Sequence, residues 1–344
     1  MSVRDDRGDQ LRFGIVGAGR IAGSYAQAFQ STRNAKLIVV ADSHLQAAEA
    51  LAKNFGCEYC GSHSALLDRD DVDAVIVATP PQTHGSICLD LLGGEIPVLC
   101  EKPVSIDAET ARHIQRTARE NRVAFTMASK FRYAEDVVRA HNIVNSNILG
   151  DIVLFENTFM SFVDMSARWN ANPAVSGGGV LIDNGTHSVD IMRYFIGPLT
   201  SIHVVTGMRL QKLPVEDTVH VTVRSQAGAT GRMDLSWSIN KRCDDYIAIY
   251  GCNGTLRVGW SGSYYRQGDS ASWVQFGKGY DKAQAFRDQI ENFSASVQGL
   301  ERLVIDAADA VASVDAISAG YRAMEEQCWA PIHTDSLSAV SHAA

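Results

Sequence analysis

The chain carries no excess of basic charge: 31 lysines and arginines stand against 39 aspartates and glutamates, a formal net charge of −8 over 344 residues. No long run of either sign interrupts it. Such a surface repels nucleic-acid phosphates and anionic membranes, so neither is an expected partner. There is no cysteine framework either. The seven cysteines (57, 60, 88, 100, 243, 252 and 328) are odd in number and scattered, which predicts reduced thiols in a cytoplasm. Cys57-Glu-Tyr-Cys60 has redox spacing but no second pair of ligands, so small buried hydrophobes are the expected role. Long apolar runs are missing: stretches such as "AVIVA" are far too short to span a bilayer. The N-terminal "MSVRDDRGDQ" lacks the apolar core of a signal peptide. No repeat or low-complexity segment is present.

What is present is enough chain for two domains, with 46% hydrophobic residues to fill their cores. "RFGIVGAGR", "KLIVVAD", "DAVIVATPP", "PVLCEKP" and "VAFTMAS" read as five nearly all-apolar strands. Helical segments alternate with them, which predicts a parallel sheet covered on both faces. After about residue 130 the pattern changes. In "DTVHVTVRS", Val219, Val221 and Val223 alternate with His220, Thr222 and Arg224. "MDLSWSI" does the same, so an antiparallel sheet with one buried face is expected. Two helices close the chain, one striped by Phe286, Ile290, Phe293 and Val297, the other by Val314, Ile317, Tyr321 and Met324. The expected division is residues 1–129 and 130–344.

Gly17-Ala-Gly19-Arg-Ile-Ala22 is GxGxxA between a strand and a helix. Gly17 permits a tight turn, Gly19 lets a pyrophosphate approach the helix N-terminus, and Ala22 allows close helix–strand packing. Asp42 ends the second strand, where a carboxylate accepts bonds from a ribose and repels a 2′-phosphate. Ser43 and His44 offer no cation to bind one, so NAD is preferred over NADP. "ATPPQTHG" brings Thr79, Gln82 and His84 to the carboxyl edge of the sheet, although His84 could equally cap the next helix.

Two further motifs carry chemistry. "EKP" puts Lys102 at the same edge; alone it would pass for a surface pair. "GGGVLIDNGTHSVDIM" (177–192) sets Asp183, His187 and Asp190 at i, i+4 and i+7. A catalytic pair, part of a metal site and a plain polar face all fit that spacing. No third and fourth metal ligand is evident, so no metal is expected.

"GAGRIAGSY", "ATPPQTHG", "EKP" and "GGGVLIDNGTHSVDIM", in this order, resemble the glucose–fructose oxidoreductase / inositol dehydrogenase / rhizopine-catabolism (Gfo/Idh/MocA) family. "SKFRY", "VEDTVHVTV" and "AFRDQIENF" extend the resemblance over nearly the whole chain. It implies an N-terminal Rossmann domain and a C-terminal α+β domain on a large, mostly antiparallel open sheet. It further implies a homodimer or homotetramer through that sheet, and NAD(P)-linked redox chemistry at a carbinol of a sugar or cyclitol. The implied catalytic residues are Lys102, Asp183 and His187. The implied cofactor contacts are Gly17, Gly19, Arg20, Ile21, Asp42, Ser43, Ala78, Thr79, Pro80, Gln82, His84, Glu101 and Lys102. The chemistry suits those types. A neutral histidine can take the hydroxyl proton, an ammonium can stabilise the developing alkoxide, and a carboxylate can fix a neighbouring hydroxyl or orient the imidazole.

Arg132, Arg168, Trp169 and Asn184 are further substrate-contact candidates, beside Lys102, Asp183 and His187. Asp190 is expected to be structural, with Arg193 as its partner. The three glycines are expected to let backbone pass close to the ligands. Two other readings stay open at this stage: a retained, recycled NAD serving epimerisation, dehydration or glycoside cleavage, and a non-catalytic NAD-binding regulator.

Overall fold

The computed structural model describes residues 10–241, 243–268 and 272–333. The first part alternates strands and helices: β1 (Leu11–Val16), α1 (Arg20–Phe29), β2 (Ala35–Ala41), α2 (Leu45–Phe55), β3 (Glu58–Cys60), α3 (Ser64–Leu67), β4 (Ala74–Val77), α4 (His84–Gly93), β5 (Val98–Glu101), α5 (Ala108–Asn121) and β6 (Phe125–Ala128). The six strands form one parallel sheet in the order β3-β2-β1-β4-β5-β6. The order reverses between β1 and β4, and ligands of such sheets bind at that crevice. Five strands were expected. The sixth, β3, is a three-residue edge strand carrying the half-buried Cys60, too short to show a pattern.

The second part contains α6 (Glu135–Asn145), β7 (Ile152–Met160), α7 (Pro173–Ser176), α8 (Val180–Ile196), β8 (Leu199–Thr206), β9 (Thr218–Ser225), β10 (Thr230–Ser236), β11 (Asp245–Gly251), β12 (Gly254–Gly259), β13 (Ser263–Gln267), β14 (Val274–Gly277), α9 (Lys282–Val297), α10 (Ala307–Glu326) and β15 (Ala330–Pro331). Its nine strands make one sheet, antiparallel throughout except where β10 runs parallel to β7. The alternation in β9 and β10 buries Val219, Val221, Val223, Met233 and Leu235 under α8, while α10 packs on the neighbouring β8. The opposite face is open in the single chain, with Val205, which alternates with the buried Val204, 52% exposed.

The two closing helices lock the halves together. α9 returns to the first sheet, where Phe286, Ile290 and Phe293 pack with Phe13, Ile15 and Phe29. α10 divides its stripe, placing Val311 and Val314 in the core under β5 and β6, and Ile317 and Ala319 in the core of the second sheet. Burying these stripes contributes about 1.5–3 kcal/mol per large side chain, enough to hold the crevice between the sheets in shape. No described helix is long and apolar enough to cross a membrane.

Candidate active site

Two adjoining cavities lie between the sheets. The outer, about 770 Å³, runs along the carboxyl ends of β1, β2 and β4. The inner, about 520 Å³, lies between β6, β7 and α8. They share Ile21, Glu101, Lys102 and Asp183.

The outer cavity begins at the turn between β1 and α1. Gly17 has φ +98, and a Cβ there would meet the Ala78 carbonyl carbon at 2.8 Å, so only glycine lets β1 and β4 close this turn. A Cβ on Gly19 would meet no atom within 4 Å and would stand in the cavity instead. The helix begun by Gly19 has no side-chain cap and no acid in its first turn, so its N-terminal field faces the cavity uncompensated. Asp42 receives the Ala18 amide at 2.6 Å and the His44 amide at 2.8 Å, which ties the end of β2 to the glycine turn. Arg20, Ser43, Ala78, Thr79, Pro80 and Gln82 also line this cavity. An uncapped helix end, a glycine cradle and a carboxylate at the end of β2 fit a dinucleotide.

His84 departs from expectation. It is fully buried, with Nδ1 2.7 Å from the Pro103 carbonyl and Nε2 2.8 Å from the Thr79 carbonyl. It joins the loop after β4 to the loop after β5 and does not line the cavity. Burial pulls its pKa below the ordinary value, against the two carbonyl contacts. Arg168 and Trp169, expected at the substrate, line the outer cavity with Met165 instead.

At the junction Glu101 is buried, receiving the Tyr25 hydroxyl at 2.7 Å and the Lys102 amide at 3.1 Å. Burial pushes its carboxyl pKa up. The Lys102 ammonium donates to Asp183 Oδ1 at 2.5 Å and to the Asp183 carbonyl at 3.0 Å, linking β5 to the first turn of α8. One turn on, His187 faces the inner cavity and stands edge-on to Phe131 with ring centroids 5.1 Å apart. Among the described residues its Nδ1 has no hydrogen-bond partner. Burial first, then the charges of Lys102 and Lys130, hold the imidazole well below its usual pKa, so it is neutral. Asn184 also lines the inner cavity and donates to the Phe159 carbonyl at 3.4 Å.

The glycine run has a different use from the one expected. A Cβ on Gly178 would lie 1.9 Å from the Tyr321 hydroxyl, and one on Gly179 2.0 Å from the Glu216 carbonyl oxygen. The buried Glu216 carboxylate accepts the Gly179 and Leu181 amides at 3.0 Å, and Tyr321 donates to it at 2.9 Å. The glycines therefore let this partner reach the start of α8; none of them lines either of the two cavities. Asp190 is structural as expected, but its partner is Arg132 at 2.7 Å, with Ser129 donating at 2.5 Å. Arg193 pairs with Asp309 at 3.2 Å. Arg132 is thereby corrected: its guanidinium is consumed by Asp190 and Asp309, away from the inner cavity. No cluster of three or more His, Cys, Asp or Glu side chains suited to a metal occurs among the described residues.

Residues that sequence reasoning passed over complete the inner wall: Lys130, Phe131, Thr158, Phe159, Met160, Ser161, Lys241, Cys243 and Trp260. Phe131, Phe159 and Trp260 supply flat apolar faces of the kind that pack on sugar C–H groups. β7 carried no period-2 signal for them, since its polar Glu156, Asn157 and Thr158 are consecutive.

Comparison with known proteins adds the lineage. Residues 11–129 match the model of the oxidoreductase family with an NAD-binding Rossmann fold, and 137–257 match the GFO/IDH/MocA C-terminal domain. An inositol 2-dehydrogenase from Rhizobium meliloti is 23% identical over 337 residues, covering 92% of this chain and 98% of the relative. One from Rubrobacter xylanophilus is 30% identical over 278 residues, 77% of each chain. A levoglucosan dehydrogenase solved with NADH superposes with a TM-score of 0.88 at 18% identity, covering 94% of this chain and all of the other. The chain belongs to the GFO/IDH/MocA family of oxidoreductases, and its first domain is that family's NAD-binding Rossmann fold.

Proposed function

We propose that this oxidoreductase interconverts a secondary carbinol and the corresponding ketone on a sugar, sugar derivative or cyclitol, with NAD in preference to NADP. One observation carries the reading: Lys102 and Asp183 are joined where the two cavities meet, with a neutral His187 one helical turn away on the inner side. NAD, when bound in the outer cavity, supplies the hydride acceptor. His187 takes the proton of the reacting hydroxyl, as an imidazole held neutral can. Lys102 donates to the same oxygen and stabilises its developing negative charge. Asp183 holds the ammonium by both its carboxylate and its carbonyl, which orients the lysine without consuming all its donors. In the reverse direction the imidazolium returns the proton. Asp42 beside the glycine turn supports NAD, since a 2′-phosphate would meet a carboxylate.

The curated relatives named inositol 2-dehydrogenase support the same class of substrate. The seven unbonded cysteines support a reducing cytoplasm. The open sheet face supports a homodimer or homotetramer, which sedimentation would measure. The test of function is spectroscopic: purified protein, NAD and a panel of sugars and cyclitols, followed for stoichiometric NADH, then ketones with NADH. Reduction by at least one carbinol is expected. Measurable NAD binding with no redox change in either direction would overturn the proposal.

A further inference from the structure

The inner cavity is positive in a chain that is negative. Lys102, Lys130 and Lys241 line it against Glu101 and Asp183, whereas the chain as a whole carries −8. Lys102 and Asp183 neutralise each other. Glu101 is engaged by the Tyr25 hydroxyl and the Lys102 amide, and its charge reaches Lys130 only across the cavity, without a contact. Lys130 is left over. Among the described residues no carboxylate lies within ion-pair distance of its ammonium, and no acceptor takes a hydrogen bond from it. Three rings wall it in instead, with centroids 5.4 Å (Phe131), 6.0 Å (Tyr280) and 5.6 Å (Phe286) away. Lys282 on α9 stands over the same Phe286 at 5.5 Å and adds repulsion.

An ammonium withdrawn from water without a counter-ion is costly, and ring faces offset only part of that cost. Burial pulls Lys130 down to about 8, with Lys102 and Lys282 adding to the effect and Glu101 and Asp183 opposing it. It nevertheless faces a cavity large enough for a monosaccharide. An anionic group there would complete its coordination.

We propose that Lys130 makes the inner cavity a site for a carbohydrate or cyclitol bearing an oxyanion, either a carboxylate or a phosphate, with the exposed Lys241 as a second contact. This rests on the carbinol reading above and adds what else the substrate carries. It also bears on the chemistry. The Lys130 charge is one of those that disfavour protonated His187. A bound oxyanion offsets that charge and so strengthens the base when substrate is in place.

The test is calorimetric binding to the enzyme–NADH complex, using matched sets: glucose, glucuronate and glucose 6-phosphate; galactose and galacturonate; myo-inositol and an inositol phosphate. Within at least one set the anionic member is expected to bind about tenfold or more tighter, as a charge-assisted hydrogen bond would give. Tighter uronates assign the carboxylate; tighter phosphate esters assign the phosphate. Lys130→Met should shrink the preference by about the same factor, while Lys130→Arg should keep most of it. Titration with NADH checks that each variant is folded. No preference in any set, including no binding of any member, overturns the proposal, as does a preference that survives Lys130→Met. A preference lost in Lys130→Met, together with no redox turnover of any ligand, would instead keep the anion site and sink the proposed reaction.

Discussion

Two helices in this molecule begin just after glycines, and they use them in opposite ways. At α1 the glycines leave the helix end uncapped, facing a cavity of about 770 Å³. At α8 the glycines clear a path for the protein's own Glu216 and Tyr321, which close the helix end. The first arrangement keeps backbone donors for a ligand. The second spends them on rigidity, and that rigidity holds Asp183 and His187 on successive turns facing the cavities. A glycine run before a helix thus marks close approach without saying whether the approaching group is foreign or native.

The same small substitution at the two sites should therefore have different consequences. Gly179→Ala puts a methyl into the Glu216 carbonyl, so a loss of more than about 3 kcal/mol of stability, or failure to fold, is expected in urea unfolding. Gly19→Ala puts its methyl into open space. Unfolding should move little, while NAD affinity falls by roughly tenfold, about 1.4 kcal/mol, in a fluorescence titration. Equal effects of the two on unfolding would dissolve the contrast.

A third prediction concerns acid. His187 is held well below the ordinary imidazole value of 6.5, so the folded chain resists a proton that the unfolded chain accepts. Its contribution is fully present above pH 6.5 and is lost as pH falls below it, by at most ~1.4 kcal/mol per pH unit. His84, also lowered, adds to the same limb. Thermal midpoints of the native chain should fall more steeply than those of His187→Asn between about pH 6.5 and 5. Parallel curves would mean that the imidazole is not desolvated.

The parallel sheet was readable because β1, β2, β4, β5 and β6 are nearly all apolar and separated by helical periods. The buried face of β9 and β10 was readable from their strict alternation. The candidate site was legible where its residues are local in sequence: the glycine turn, Lys102 after β5, and Asp183 and His187 four residues apart. What escaped was long-range. Glu216 lies 37 residues from Gly179 and Tyr321 lies 142 from it, so the cap has no local signature. Lys130 gains its character from Tyr280 and Phe286, far along the chain, and from burial that no hydropathy pattern reports. Arg132 looked available because its two carboxylate partners are 58 and 177 residues distant. The stripe of Phe286, Ile290 and Phe293 was legible as a buried helix face, but its destination on the first sheet was not.

The central claim is that α1 holds the cofactor while α8 supplies the proton-transfer group. It is tested most directly by measuring NAD affinity and turnover on one preparation of His187→Ala, using the best carbinol of the panel. The expected result is a fall in turnover of roughly 10²–10⁴ with the NAD dissociation constant nearly unchanged. Turnover that survives, or cofactor binding that falls as far as turnover does, would contradict that division of labour.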